Sequence, residues 1–180
     1  MNVSPTGLVK AATSGVGLPI STCVDEAVAI RLFAKADRMD VRYALNPVGS
    51  LVGRHLLVVE DDKDARDVFC AMLDYEGAMV LGAASAEEAL RILRTVRPHA
   101  IITDIALPGR DGFWLLEQLR ASDRTDQIPV VAVTAVARRE EILDAGFDAF
   151  VAKPVRPEGV ADAVLAALAL RTDPDAPPFD

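Results

Sequence analysis

Five short apolar runs that alternate with five helix-patterned segments predict an α/β domain built on one parallel sheet. The runs are unbroken rather than alternating, so the sheet is expected to be covered by helices on both faces, with right-handed crossovers. Several of the runs also stop on a polar or charged residue followed by loop residues. In an open α/β sheet, the carboxyl edge of the strands is where ligands bind.

His55–Val59 reads as the first strand and ends in Glu60-Asp61-Asp62. Lys63 to Tyr75 carries Ala65, Val68, Phe69, Met72 and Leu73 at helical spacing, and Glu76-Gly77 closes it. Met79–Ala83 is the second strand. Ser85 and Glu88 form a capping box for a helix bearing Ala86, Ala89, Leu90 and Leu93, with Pro98 as its expected end. The third strand runs from Ala100 through Thr103 and stops on Asp104. Pro108-Gly109 and Asp111-Gly112 then mark a loop before a helix from about Gly112 to Ala121. Pro129–Thr134 is the fourth strand, and a short helix covers Ala137 to Ala145. Ala149–Ala152 is the fifth strand and ends at Lys153-Pro154. The last helix spans Pro157 to Leu170, with Val160, Ala163, Val164, Ala167 and Leu168 on one face.

The flanks read differently. Residues 1–53 are broken repeatedly by Gly and Pro and are expected to be a largely disordered extension. Within them, Cys23 to Asp40 is a possible amphipathic helix. It has a capping pair at Thr22 and Asp25, and Val24, Ala27, Val28 and Phe33 share part of one side. Such a helix is either marginal by itself or a dimerisation or partner element. Between these flanks lies one folded domain, 54–171, and the Pro- and Asp-rich tail 172–180 is expected to be disordered.

Of 180 residues, 51% are hydrophobic, enough for a real core, and the net charge is −8. That charge argues against direct nucleic-acid binding or attachment to an anionic membrane through the whole surface. No run approaches the ~18 apolar residues of a membrane span, and no signal-peptide pattern opens the chain. Cys23 and Cys70 lack metal-ligand spacing and fit free thiols in a reducing compartment, so a cytoplasmic location is expected.

Polar strand ends carry the chemistry. Glu60-Asp61, Asp104, Thr134 and Lys153 converge on one edge, and three carboxylates share a crevice. Like charges at that range need compensation, and a hard cation such as Mg²⁺ suits an all-oxygen site. An ammonium and a hydroxyl opposite suit a group with several anionic oxygens. The set points to phosphoryl chemistry with a carboxylate nucleophile.

Four stretches, Val58-Val-Glu-Asp-Asp62, Asp104-Ile-Ala-Leu-Pro-Gly-Arg-Asp-Gly112, Val133-Thr-Ala135 and Phe150-Val-Ala-Lys-Pro154, together resemble the receiver domain of response regulators in two-component signalling. The resemblance covers about Arg54 to Arg171. It implies a CheY-like (βα)5 fold of the flavodoxin-like, doubly wound kind, with strand order 2-1-3-4-5. It also implies that a histidine kinase or histidine phosphotransfer protein phosphorylates Asp104. Glu60 and Asp61 match the family's acidic pair, and Asp61, Asp104 and the main-chain carbonyl of Ala106 would hold Mg²⁺. Lys153 would pair with the phosphoryl oxygens. Thr134 would hydrogen-bond the phosphoryl group and draw its loop, with Phe150 as the aromatic switch behind it. The Lys153–Pro154 bond is expected to be cis. Ala106 and Val136 stand where this family's side chains flank the approach of hydrolytic water.

Other residues have plainer readings. Asp62 reads as a solvated residue leading into the first helix. Phe150 also fits ordinary core packing, Trp114 fits the edge of the core, and Cys70 is structural. His55 and His99 have no assigned role. Thr134 and Lys153 are nineteen residues apart, about three fewer than in this family, and the deficit falls in the fourth helix. That leaves open what the face of the fourth helix, fifth strand and last helix recognises in a downstream protein. The expected function is a phosphoacceptor receiver without an output domain, which switches a protein–protein interaction and is not an enzyme. An unphosphorylated scaffold of the same shape is one alternative. An aspartyl-phosphate phosphohydrolase is another, disfavoured because position 106 is Ala where a general acid would stand.

Overall fold

A computed structural model describes residues 49–135 and 139–171. The expected extension helix at 23–40, Val136 and the tail 172–180 lie outside the described residues. The elements run β1 (His55–Val59), α1 (Lys63–Tyr75), β2 (Met79–Ala83), α2 (Ala86–Ile92), β3 (Ala100–Asp104), α3 (Gly112–Arg120), β4 (Val130–Thr134), α4 (Arg139–Asp144), β5 (Ala149–Ala152) and α5 (Pro157–Arg171). The strands form one parallel sheet in the order β2-β1-β3-β4-β5. This is the doubly wound (βα)5 arrangement the sequence predicts.

The period of two along each strand sorts the core into two layers. Leu56, Val58, Ile102, Val131 and Val133 point to one side, where α1 supplies Phe69, Cys70 and Leu73 and α5 supplies Val160, Val164 and Ala167. Leu57, Val59, Ile101, Val130 and Ala132 point to the other, against α2, α3 and α4. Every residue of β3 and β4 is buried, which is why those segments carry no polar alternation. Each fully buried Leu or Ile contributes roughly 1.5–3 kcal/mol of transfer free energy. Leu51 is also fully buried in the α1–α5 layer, so the packed unit reaches back before Arg54.

Several local expectations need correction. The inward stripe of α1 is Phe69, Cys70 and Leu73, and Val68 is 51% exposed. The helical period admits either choice, and the sheet fixes the rotation. Asp62 does more than precede α1: its side chain accepts the Ala65 N–H at 2.8 Å and caps the helix. Ser85 caps α2 as expected, but Glu88 reaches past it to the Ala84 N–H at 2.6 Å. That helix ends at Ile92, well before Pro98. Its last carbonyls take bonds from the turn Leu93–Val96, with Thr95 Oγ1 also donating to Ile92 O. β4 starts one residue later than expected, at Val130. α4 is described over Arg139–Asp144, and its expected start at Ala137 lies outside the described residues.

At the edge of the sheet opposite the acids, Asp148 gathers two guanidiniums. It accepts from Arg120 Nη2 at 2.9 Å, Arg171 Nε at 2.6 Å and the Val130 N–H at 2.8 Å. This staple ties α3, β4, β5 and the end of α5 together.

Candidate functional site

The register of the sheet sets the site. Val59 pairs with Thr103, so Glu60 follows beside Asp104, and Asp104 itself pairs with Val133. Thr134 pairs with Ala152, which puts Lys153 one step further along the same edge, where its N–H donates to Thr134 O at 3.0 Å. The Lys153–Pro154 bond is cis, as expected.

Side chains converge accordingly. Lys153 Nζ donates to Asp104 Oδ2 at 2.6 Å and to Glu60 Oε2 at 2.7 Å. Glu60, Asp61 and Asp104 each offer a carboxylate oxygen, and these lie within 4.8 Å of one another. Glu60, Asp104 and Thr134 are buried, while Asp61 is exposed. Burial pushes the Glu60 carboxyl above its ordinary range, against the pull of Lys153 and with added repulsion from Asp104 and Asp61. For Lys153, burial works to lower the ammonium pKa, but its bonds to Asp104 and Glu60 outweigh that and raise it. The ammonium therefore stays charged across the physiological range.

Backbone around Asp104 is equally specific. Asp104 Oδ1 accepts the Ala106 N–H at 2.9 Å, which turns the chain sharply out of β3. Ala106 is exposed at the rim. Gly112 passes directly behind the acid, and a Cβ there would lie 2.6 Å from Asp104 O and 2.9 Å from Ile105 Cα. Glycine is needed at this position for close approach, beyond marking a turn. Asp111 caps α3 by accepting the Trp114 N–H at 2.8 Å.

Phe150 is half-buried and packs on the α2–α4 layer beside the site. Trp114 packs at the edge of that layer, with the Arg110 guanidinium 4.9 Å above its ring. Cys70 is buried in the other layer. His55 and His99 meet edge to face at the opposite end of the sheet, with His99 Nδ1 accepting the His55 N–H at 2.9 Å.

One contributor was not singled out in the sequence. Arg66 Nη1 donates to the carbonyls of Glu60 at 2.6 Å and Asp61 at 3.2 Å, latching the acidic loop onto α1. The available signal is weak: a lone guanidinium one turn into a helix that follows three acids.

The residues present fit a hard divalent cation. All the donors are oxygens, three of them carboxylates, and a single ammonium faces them among the described residues. A parallel α/β sheet with clustered carboxylates and a lysine at its carboxyl edge belongs to the class of α/β domains that bind ligands at that edge, here with donors suited to a hard cation and an anionic partner. The chain belongs to the response regulator receiver domain family, whose model matches residues 56–165.

An uncharacterised 14.6 kDa protein of Leptolyngbya boryana is 40% identical over 111 residues, covering 60% of this chain and 85% of that protein. The transcriptional regulatory protein AfsQ1 of Streptomyces coelicolor is 41% identical over 106 residues, covering 56% of this chain and 45% of that protein. The chain thus spans about half the length of this transcriptional relative but most of the short one. Among solved structures, the receiver domain of a sensor histidine kinase from Pseudomonas aeruginosa aligns with a TM-score of 0.60 and 29% identity, over 66% of this chain and 99% of that one. That structure holds a magnesium ion coordinated in its active site cleft. Receiver domains are signalling modules that bind Mg²⁺ in an acidic site and work with histidine kinases or phosphotransfer proteins. No helix among the described residues is long and apolar enough to cross a membrane.

Proposed function

We propose that this chain is a cytoplasmic phosphoacceptor whose Asp104 takes a phosphoryl group from a histidine kinase or histidine phosphotransfer protein. The observation that carries the reading is the Asp104 carboxylate, held at 2.6 Å from Lys153 Nζ beside the acidic pair at the sheet edge. A carboxylate oxygen of Asp104 attacks phosphorus in line. The new P–O bond forms as the donor P–N bond breaks, and that electron pair stays on the imidazole nitrogen. Asp61, Asp104 and the main-chain carbonyl of Ala106, with Glu60 beside them, would hold Mg²⁺. When bound, the ion offsets repulsion between the carboxylates and the incoming phosphoryl oxygens.

Lys153 has three N–H donors and uses two of them on carboxylates, so it can move one to a phosphoryl oxygen without leaving the site. The Thr134 hydroxyl would bond another phosphoryl oxygen and draw the loop after β4 inward, and Phe150 would turn in behind it. The signal then passes to a downstream protein through the α4–β5–α5 face, with α4 described over Arg139–Asp144. Residues 54–171 form the receiver, with Leu51 packed into its core from just before that span. On this reading the chain is not an enzyme that turns over substrate.

Incubation with acetyl phosphate and Mg²⁺ tests it. One stable phosphoryl group per chain is expected. Many turnovers of released phosphate would instead mean a phosphohydrolase, and no uptake at all would mean a scaffold.

A further inference from the structure

Glu60 to Asp62 connect β1 to α1 and carry two of the three carboxylates of the site. Their backbone is pinned from several sides. The Glu60 N–H donates to Ala83 O at 3.0 Å, on the neighbouring strand β2. At the far end, the Asp62 side chain caps α1 through the Ala65 N–H. The three carbonyls of the connection all go to one residue. Arg66 Nη1 donates to Glu60 O at 2.6 Å and to Asp61 O at 3.2 Å, and the Arg66 N–H donates to Asp62 O at 2.9 Å.

The two guanidinium bonds bear on Asp61. The Glu60 carbonyl belongs to the peptide plane before Asp61, and the Asp61 carbonyl to the plane after it. A residue has only two soft backbone dihedrals, one towards each flanking plane. Fixing both planes on one nitrogen therefore fixes φ and ψ of Asp61, and with them the direction in which its side chain leaves the chain. The other two acids are held by their side chains: Lys153 Nζ bonds both Glu60 and Asp104, and the Ala106 N–H also bonds Asp104. Both are buried, whereas Asp61 is exposed, so the aim of Asp61 depends on its backbone.

We propose that Arg66 is a positioning residue of the cation site: by clamping the peptide planes on either side of Asp61, it aims that carboxylate at the oxygens of Glu60 and Asp104 and so sets the affinity for Mg²⁺. The inference rests on the reading of these three acids as the Mg²⁺ site. Charge alone gives the opposite expectation. A guanidinium beside a cation site opposes entry of the cation, so removing it would tighten binding. Clamping requires that binding weaken, as it does when a group that orients a metal ligand is lost, by roughly ten- to a hundredfold.

Isothermal titration of the full chain with Mg²⁺, together with NMR relaxation of its backbone amides, tests it. Arg66→Met keeps an unbranched helix-forming side chain and removes the donors. It should bind Mg²⁺ at least about tenfold more weakly than wild type. In the metal-free chain, the order parameters of the Asp61 and Asp62 amides should fall from about 0.85 to below about 0.6, while those of β1 and α1 stay high. Arg66→Gln, whose arm is too short to bridge both carbonyls, should do the same and serves if Arg66→Met does not fold. Binding by the variant as tight as wild type or tighter overturns the inference and leaves the site reading standing. So does a connection that stays rigid without the guanidinium. A wild type that binds no Mg²⁺ overturns the site reading, and this inference with it.

Discussion

Replacing Lys153 by Met isolates what the ammonium does, because it keeps the length of the side chain and removes only the charge. Lys153 Nζ is the cation bonded to both Glu60 and Asp104, whose side chains are 4% and 10% exposed. Without it, carboxylates whose oxygens lie within 4.8 Å face one another uncompensated. At that spacing and an effective dielectric of about 20, one pair repels by about 3.5 kcal/mol. Two charge-assisted hydrogen bonds go as well, each contributing roughly 1.5–3 kcal/mol. Protonation of Glu60 relieves part of this, because burial already pushes its pKa upward. The expected net loss is about 3 kcal/mol at neutral pH without Mg²⁺, in line with breaking a buried pair, and roughly a 10 °C fall in Tm for a domain of this size.

The pH dependence has a definite sign. Lys153 has a raised folded-state pKa, so its contribution is present below 10.5 and is lost only as pH rises through the raised value. Glu60 also has a raised folded-state pKa, so ionising it costs stability as pH rises from its ordinary 4.5 through the raised value. The gap between wild type and Lys153→Met should therefore be small in acid and widen towards neutral pH. Saturating Mg²⁺ should narrow it again. Urea melts across pH, with and without Mg²⁺, provide the assay. A variant as stable as wild type at neutral pH without metal, or a gap that ignores Mg²⁺, would refute the reasoning.

Other expectations follow from the same geometry. Asp61→Asn should weaken Mg²⁺ binding and phosphorylation together, as read by isothermal titration and intact mass; unchanged metal affinity would remove Asp61 from the ion's ligands. Asp148→Ala should lower stability by about 3 kcal/mol in urea melts, because Arg120 and Arg171 lose a shared, 8%-exposed partner; a loss under about 1 kcal/mol would make the staple a surface pair. Ala106→Asn/Val136→Glu should shorten the acyl-phosphate lifetime about tenfold, or about 1.4 kcal/mol in barrier, since neither native side chain can orient the attacking water. Equal decay would mean that access, not orientation, sets the lifetime.

Much of this architecture was legible because it rests on two strong periodicities. β3 and β4 are buried along their whole length, so their sequences are unbroken apolar runs, and strand ends alone place Asp104, Glu60, Thr134 and Lys153 on one edge. What escaped depends on tertiary choices. Val68 and Cys70 both fit an amphipathic α1, and only the sheet decides which faces in. The end of α2 is set by the turn Leu93–Val96 folding back on Ile92, a cue weaker in sequence than Pro98. Arg66 binds carbonyls, which leave no trace in residue types. Asp148 draws partners from positions 120, 130 and 171, too far apart for any local pattern. Gly112 reads as a loop glycine until the approach of Asp104 O is measured.

The central claim is that Asp104 alone accepts the phosphoryl group. Wild type and Asp104→Asn should be treated with acetyl phosphate and Mg²⁺, reduced with borohydride to trap the acyl phosphate, and mapped by peptide mass spectrometry. The account predicts modification confined to Asp104 in wild type and none in the variant. Equal modification of the variant, or trapping at Glu60 or Asp61 in wild type, would contradict it.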